Sequence, residues 1–224
     1  MAKAATKVDA VLFDLDGTLV DSAPDLAGAV NEMREARGLA PLPLARLRPM
    51  VGAGARGMVG AALGVAPGDE GYEALRDEFL ERYSGRLLRE TAIFAAMEPV
   101  LQRLDAVPLA WGIVTNKALR FARPLIMGLA LGERAKVLIG GDSTPFSKPH
   151  PEPLLEAARR IGVEPARCVY IGDDHRDVRA GRAAGMATLA AAWGYLGAGE
   201  AVADWGADAV IDAPDALLRW LELA

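Results

Sequence analysis

Two aspartates one residue apart, Asp14 and Asp16, follow the apolar run Val8–Phe13 and precede Gly17-Thr18. The run is short and contains β-branched and aromatic residues, so it predicts a buried strand. Asp14 then lies at the carboxyl end of a central strand, where open α/β sheets place their ligands. Two carboxylates this close repel each other unless a cation lies between them or one is protonated. An ordinary Asp-Gly turn would also end a strand in this way, so the rest of the chain has to decide.

Further polar residues follow other predicted strands. They are Thr115 and Asn116 after Leu109–Val114, Lys148 beyond Lys136–Ile139, and Asp173 and Asp174 after Arg167–Ile171. Parallel strands bring their carboxyl ends to one edge of a sheet, so we expect these side chains to converge. Each has an ordinary structural explanation when taken alone, as a helix cap or a solvated lysine. Their joint occurrence at strand ends favours a functional site.

The residue types at these positions suit phosphoryl transfer. Carboxylates on Asp14 and Asp173 are the oxygen ligands that Mg²⁺ prefers, and Lys148 can offset the charge of a phosphate. An Asp with an ordinary pKa of about 3.9 is ionised at neutral pH, so Asp14 is available as a nucleophile. Asp16 can protonate the leaving oxygen and then deprotonate water, and Thr115 can bind equatorial oxygens of the phosphoryl group.

Strands and helices alternate along most of the chain, which predicts an α/β fold with a parallel sheet. Two further strands are predicted at Ala187–Ala191 and Ala207–Ile211. Helices alone are predicted between about Val20 and Ala95, with no convincing strand. This all-helical block is therefore interpreted as a cap inserted into the sheet domain. We place the catalytic core at residues 1–19 and 98–224 and the helical cap at 20–97.

The chain resembles the haloacid dehalogenase superfamily in four ordered motifs. They are Phe13-Asp14-Leu15-Asp16-Gly17-Thr18, Thr115-Asn116, Lys148-Pro149 and Gly172-Asp173-Asp174-His175-Arg176-Asp177. The resemblance implies a Rossmann-like core with an inserted helical cap that opens and closes. It also implies that Asp14 is the nucleophile and Asp16 the acid/base. The other implied roles are phosphate binding by Thr115, Asn116 and Lys148, Mg²⁺ binding by Asp14, the backbone carbonyl of Asp16 and Asp173, and support from Asp177 and Asp174.

Several activities occur within that superfamily. The acid/base at Asp16 favours phosphoryl transfer over dehalogenation, and the absence of lysine from residues 20–95 argues against cap-lysine phosphonate cleavage. A sugar-phosphate mutase shares the motifs. Closer similarity is to bacterial phosphoglycolate phosphatases, with N-acetylmuramic acid 6-phosphate phosphatases of cell-wall recycling as the alternative. Non-enzymatic receiver domains combine similar residues, but in another chain order and without a helical insertion.

Both phosphatase groups act on a phosphate ester that carries a carboxylate, so a basic residue of the cap is expected to contact the substrate. Arg56 is the candidate, because it lies in a glycine-rich segment and arginine binds carboxylates through two hydrogen bonds. A solvent-exposed helix arginine is an equally good interpretation. Lys117 and Arg120 are predicted to be solvated residues of a first helical turn, with positive potential at the site entrance as the alternative.

The motifs and the resemblance imply a small phosphorylated metabolite as the partner, and composition argues against other classes of partner. The formal net charge is −5 and there is no basic tract, which argues against a nucleic-acid partner. The N-terminal stretch Met1–Val8 has no long apolar segment of the signal-peptide kind, and no stretch approaches a membrane span. The single cysteine, Cys168, cannot form an intramolecular disulfide. A cytoplasmic location is therefore expected, and no feature of the sequence assigns an oligomeric state.

Overall fold

The chain folds around a parallel sheet in the computed structural model, which describes residues 8–197 and 199–223. In chain order the strands are β1 (Ala10–Phe13), β2 (Val20–Asp21), β3 (Ala92–Ile93), β4 (Ala110–Val114), β5 (Leu138–Ile139), β6 (Cys168–Gly172), β7 (Ala187–Ala191) and β8 (Ala209–Ile211). Six of them form one sheet in the order β5-β4-β1-β6-β7-β8, and all neighbouring pairs are parallel. The predicted α/β fold with a parallel sheet is confirmed. The N-terminal stretch for which no signal-peptide segment was predicted, Met1–Val8, lies outside the described residues except for Val8.

The helices are, in chain order, α1 (Ala23–Glu35), α2 (Leu44–Leu47), α3 (Gly54–Leu63), α4 (Tyr72–Ser84), α5 (Met97–Asp105), α6 (Leu119–Gly128), α7 (Glu152–Ile161), α8 (His175–Ala183) and α9 (Asp215–Trp220). A 3₁₀ turn, Arg48–Ala53, joins α2 to α3. No helix in the described part of the chain is long and apolar enough to cross a membrane.

Strand β1 occupies the middle of the sheet and is buried on both faces. Val11 and Phe13 pack in the cluster that includes residues of α5, α6 and α9, whereas Leu12 packs in the cluster that includes residues of α7 and α8. A strand covered on both faces has an unbroken apolar sequence rather than an alternating one. Register pairs Phe13 with Ile113 and with Ile171, so the residues that follow these three leave the sheet at the same edge.

The helices α1, α3 and α4 pack against one another and form a separate apolar cluster. Buried residues of this cluster include Met33, Met58 and Phe79. Two core residues, Phe121 and Tyr195, also belong to it. The segment between β1 and β4 therefore has its own interior and meets the sheet domain through a few side chains.

The expectation that residues 20–95 contain no strand was wrong. Val20–Asp21 and Ala92–Ile93 pair as a short antiparallel ribbon where the chain leaves the core and where it returns. Strands of two residues have no readable periodicity, so the pairing depends on the fold bringing distant segments together. The glycine-rich segment that contains Arg56 belongs to α3 from Gly54 onward.

Candidate active site

Lys148 is a buried cation at this edge of the sheet. Its Nζ lies 2.9 Å from Asp14 Oδ1 and 2.7 Å from Asp177 Oδ1. It also donates to the Tyr170 hydroxyl at 2.7 Å and to the Val114 carbonyl at 3.1 Å. Burial lowers the pKa of Lys148, but the two carboxylates raise it further, so the net shift is upward. The lysine therefore stays charged while only 4% exposed.

Carboxylate oxygens of Asp14, Asp173 and Asp177 all lie within 4.8 Å of one another. Burial, together with the neighbouring Asp14 and Asp177 charges, raises the pKa of Asp173 well above its ordinary range. Burial also raises the pKa of Asp177, to about 7, against the opposing effect of Lys148. A buried all-oxygen cluster whose charges repel one another fits a hard divalent cation such as Mg²⁺.

Asp173 is held rigidly by two donors from distant parts of the chain. Thr18 Oγ1 donates to its Oδ1 at 2.9 Å, and the Tyr195 backbone N–H donates to its Oδ2 at 2.7 Å. Gly17 passes so close that a β-carbon there would overlap the Asp173 carboxylate, and its φ of +84° also favours glycine. The Gly17-Thr18 pair thus allows the close approach and supplies one of the hydrogen bonds.

Asp16 is bound by a cation and a hydroxyl. Lys117 Nζ lies 3.0 and 2.9 Å from its two carboxylate oxygens, and Ser22 Oγ donates to Oδ1 at 2.5 Å. The prediction that Lys117 is solvated was wrong, because its side chain is only 8% exposed. Ser22 occupies the N-cap position of α1 but makes no cap hydrogen bond with its side chain. Both residues instead fix the position of Asp16.

Thr115 and Asn116 follow β4, at the sheet edge predicted for them. Thr115 is 3% exposed, and its Oγ1 accepts a hydrogen bond from Lys117 N at 3.2 Å. The Asn116 amide donates to Lys148 O and accepts from Lys148 N, both at 3.0 Å. The Asn116 side chain thus holds the loop that carries Lys148, whereas phosphate binding by Asn116 stays a prediction.

Asp174 begins α8 and connects the core to the helical segment. It forms a reciprocal capping box with Asp177, in which each side chain accepts a hydrogen bond from backbone near the helix start. Its carboxylate also binds the Arg176 guanidinium at 2.8 Å through both oxygens. Arg176 in turn donates to the Gly52 carbonyl in the 3₁₀ turn. Asp174 therefore caps α8 and, through Arg176, ties the core to the 3₁₀ turn.

A cavity of about 260 Å³ separates the sheet edge from the helical segment. Its polar core-side lining consists of Asp14, Asp16, Thr115, Asn116, Lys117, Arg120, Lys148, Asp173, Asp174, Arg176 and Asp177. The remaining wall is mostly apolar and comprises Leu26, Val51, Gly52, Gly54, Ala55, Phe79, Leu80, Tyr83, Ala118 and Phe121. All of the core motif residues predicted from sequence thus border one enclosed space.

A family model described as haloacid dehalogenase-like hydrolase matches residues 8–185. The chain belongs to this family. Among relatives of this hydrolase, a phosphoglycolate phosphatase from Xanthomonas campestris pv. campestris is 48% identical over 93% of this chain and 94% of its own length. An N-acetylmuramic acid 6-phosphate phosphatase from Pseudomonas aeruginosa is 42% identical over 97% of this chain and 96% of its own length.

The fold of the hydrolase has close structural counterparts. A predicted phosphoglycolate phosphatase from Haemophilus somnus superposes with a TM-score of 0.84 at 24% identity, covering 97% of this chain and 99% of that structure. CbbY from Rhodobacter sphaeroides in complex with phosphate superposes with a TM-score of 0.75 at 23% identity, covering 96% and 99%. At these identities the likeness to the two structures establishes the fold alone. The match to the family model confirms the resemblance to the haloacid dehalogenase superfamily.

The structure does not bring every predicted residue of the hydrolase to the cavity. Arg56 is exposed on α3 and is not part of the lining, so the predicted substrate contact gains no support from its position. Two further residues of the site were not predicted from the sequence: Tyr170, whose hydroxyl binds Lys148, and Tyr195, whose backbone N–H binds Asp173. A tyrosine within an otherwise apolar buried strand is a usable signal for Tyr170, because a buried hydroxyl requires a partner.

Proposed function

We propose that this hydrolase is a Mg²⁺-dependent phosphomonoesterase that cleaves a small phosphate ester bearing a carboxylate, with 2-phosphoglycolate as the first candidate. The observation that carries the proposal is the enclosed cavity in which Asp14 and Asp16 face the buried Lys148 and the acidic cluster. Substrate choice is supported by the Xanthomonas relative, whose name is phosphoglycolate phosphatase.

In the first half-reaction, an Asp14 carboxylate oxygen attacks phosphorus and the ester P–O bond breaks. Asp16 donates its proton to the leaving oxygen, and Asp14 becomes an aspartyl-phosphate. Lys148 and Thr115 bind the equatorial oxygens, over which charge spreads in the transition state. Lys117 and Ser22 hold the Asp16 carboxylate in place before the proton is transferred.

In the second half-reaction, water attacks the phosphorus of the aspartyl-phosphate. Asp16, left ionised by the first step, removes a proton from that water, and the bond between phosphorus and Asp14 breaks. Inorganic phosphate leaves and Asp16 is protonated again, so the enzyme returns to its starting state. The cap has to open for this exchange of product and substrate.

Asp14, the Asp16 backbone carbonyl and Asp173 are the proposed ligands of Mg²⁺, with Asp177 in support. The ion supplies positive charge that offsets repulsion between phosphate and carboxylates. Thr18 and Tyr195 keep the Asp173 carboxylate oriented for this purpose. Asp177 binds Lys148 and the Asp174 backbone N–H, and so joins the phosphate-binding lysine to the start of α8.

N-acetylmuramic acid 6-phosphate is the second candidate substrate, and the apolar cavity wall favours it. Leu26, Val51, Phe79, Leu80 and Phe121 offer carbon surface that a two-carbon acid cannot cover. A larger sugar acid has carbon faces to place against them. The Pseudomonas relative carries the name of this activity.

The decisive experiment compares kcat/KM of the purified enzyme for 2-phosphoglycolate, N-acetylmuramic acid 6-phosphate and p-nitrophenyl phosphate. We expect Mg²⁺-dependent hydrolysis of all three, abolished by EDTA and restored by added Mg²⁺, with one of the two acids preferred. Absence of turnover for every ester would contradict the phosphomonoesterase proposal. Transfer of phosphate to a sugar phosphate in place of water would instead indicate a mutase.

The proposed location is the cytoplasm, consistent with the buried, unpaired Cys168.

A further inference from the structure

The Tyr83 hydroxyl is a buried polar group that makes no hydrogen bond of standard geometry with the described residues. Its polar neighbour is the Lys117 ammonium, which has no acceptor, so the hydroxyl proton is left without a partner. The residue lies on α4 and is only 2% exposed. Burying a hydroxyl without a hydrogen bond costs about 1–3 kcal/mol, and such groups are rare in folded proteins. When they occur they call for an explanation such as a ligand or a bound water. Tyr83 lines the candidate active-site cavity, where a substrate can supply the missing partner.

The surroundings of Tyr83 connect it to the reacting groups. Lys117 Nζ lies over its ring, 4.7 Å from the centroid, and the same ammonium binds Asp16. Phe79 stacks against the ring at a centroid distance of 6.3 Å, and Phe121 packs at 5.6 Å in a tilted arrangement. These contacts fix the position of the ring at the cavity wall.

The position of Tyr83 differs from that of the predicted phosphate-binding residues. Lys148 and Thr115 belong to segments that follow core strands, whereas Tyr83 is supplied by a helix of the inserted segment. Both groups line the same cavity. A phosphate ester held by the core residues therefore has its leaving group available to the helical side. The neighbouring residues of this wall are apolar: Phe79 and Leu80 come from α4, and Phe121 comes from α6. Tyr83 therefore provides a neutral hydrogen-bond donor on that wall.

We propose that Tyr83 determines substrate specificity by donating a hydrogen bond from its hydroxyl to a carboxylate oxygen of the leaving group. The inference rests on the proposed function and names the residue through which the carboxylate is recognised. Hydrogen bonds to a charged acceptor are stronger than those between neutral groups. The nearby Lys117 ammonium favours an anionic acceptor at this place.

The test is Tyr83→Phe, which removes only the hydroxyl. The substrates are 2-phosphoglycolate and N-acetylmuramic acid 6-phosphate, compared with ethyl phosphate, in which a methyl group replaces the carboxylate of phosphoglycolate. We expect kcat/KM for the preferred acid to fall about 10- to 100-fold, mainly through KM, because a hydrogen bond to a charged group is lost. For ethyl phosphate we expect a change of less than about twofold.

Tyr72→Phe is the matched control, because Tyr72 is a buried tyrosine of the same helix that does not line the cavity. Tyr72→Phe should leave all kcat/KM values unchanged. The thermal midpoint gives a second readout: Tyr83→Phe should be at least as stable as the parent, since an unpartnered hydroxyl has been removed. A clearly lower midpoint would show that the hydroxyl has a structural partner and would overturn the assignment.

The outcomes separate this inference from the proposed function. Unchanged kcat/KM for the acids in Tyr83→Phe, or equal losses for the acids and ethyl phosphate, would overturn the role of Tyr83 alone. An unmodified enzyme that hydrolyses ethyl phosphate and p-nitrophenyl phosphate but neither acid would overturn the proposed substrate class, and the Tyr83 assignment with it. A selective loss on one acid would support the assignment and identify which acid the cavity accommodates.

Discussion

At the scale of single residues, the environment of Asp16 explains how two nearby aspartates are kept apart in function. Asp16 binds Lys117 and Ser22, whereas Asp14 binds Lys148 and lies in the acidic cluster. Different partners give the two carboxylates different positions and different electrostatic surroundings, although one residue separates them in sequence. The proposed nucleophile and the proposed proton-transfer group thus lie close together, each with its own cation.

Replacing Asp16 by Asn tests this division. We expect kcat for the preferred alkyl phosphate to fall about 10²- to 10⁴-fold, because the proton donor and the base are both removed. With p-nitrophenyl phosphate, whose leaving group needs no proton, rapid-quench measurements should show a burst of about one nitrophenolate per enzyme followed by slow turnover.

Asp9→Asn serves as the control for Asp16→Asn. Asp9 pairs with Arg167 before the start of β1 and does not line the cavity. Its replacement should leave kcat within about twofold of the parent. An Asp16→Asn variant that retained near-parental turnover of the alkyl phosphate would contradict the acid/base role.

At the scale of elements, Asp25 joins α1 to the segment by which the chain returns to the core. Its Oδ2 accepts hydrogen bonds from Glu90 N at 3.0 Å and from Thr91 N and Thr91 Oγ1, each at 2.8 Å. Its other oxygen lies 3.4 Å from Arg86 Nε. Asp25 is completely buried, so its Oδ2 depends on these three protein donors for its hydrogen bonds. They fix the return segment next to strand β3, where the antiparallel ribbon closes.

We expect Asp25→Ala to lower the free energy of unfolding by about 3 kcal/mol, because the backbone N–H groups of Glu90 and Thr91 and the buried Thr91 hydroxyl lose their acceptor. Urea titration followed by circular dichroism measures the change. Asp77→Ala, which removes an exposed carboxylate on α4, should change the free energy of unfolding by less than about 0.5 kcal/mol. Equal effects of the two substitutions would contradict a structural role for the Asp25 contacts.

At the scale of the whole molecule, the cavity at the candidate active site is lined by residues of both the sheet domain and the helical segment. Arg176 makes a direct link across this boundary, since it binds Asp174 on the core and the Gly52 carbonyl of the 3₁₀ turn. Lys117 makes a second link through the ring of Tyr83. Both links lie beside the cavity, so we expect them to hold the helical segment over the site.

Replacing Arg176 by Ala should loosen this closure. We expect faster hydrogen–deuterium exchange in residues 48–57, measured by mass spectrometry, with unchanged exchange in strands β1, β4 and β6. Arg179→Ala, an exposed arginine of the same helix, should leave the pattern unchanged. Uniform exchange changes throughout the protein, or none in residues 48–57, would contradict a linking role for Arg176.

Much of the core could be predicted from local patterns. The unbroken apolar run before Asp14 predicted a central strand, and the same pattern before Thr115 and Asp173 predicted its neighbours, because burial on both faces requires it. The ribbon of Val20–Asp21 with Ala92–Ile93 could not be predicted, since its strands are too short to show a period. Arg56 was expected near the substrate, but whether a side chain on a short helix faces a cavity depends on how that helix packs.

The sequence by itself determined the family, the chemistry and the order of the reacting groups along the chain, because residue types and strand-end positions are local properties. Only the tertiary structure decided which cation pairs with which aspartate: Lys148 binds Asp14 and Lys117 binds Asp16. It also decided that the Ser22 side chain binds Asp16 rather than capping its own helix, and that Tyr83 lines the cavity. Those contacts join segments far apart in sequence, and their geometry follows from the packing of the helical segment on the sheet.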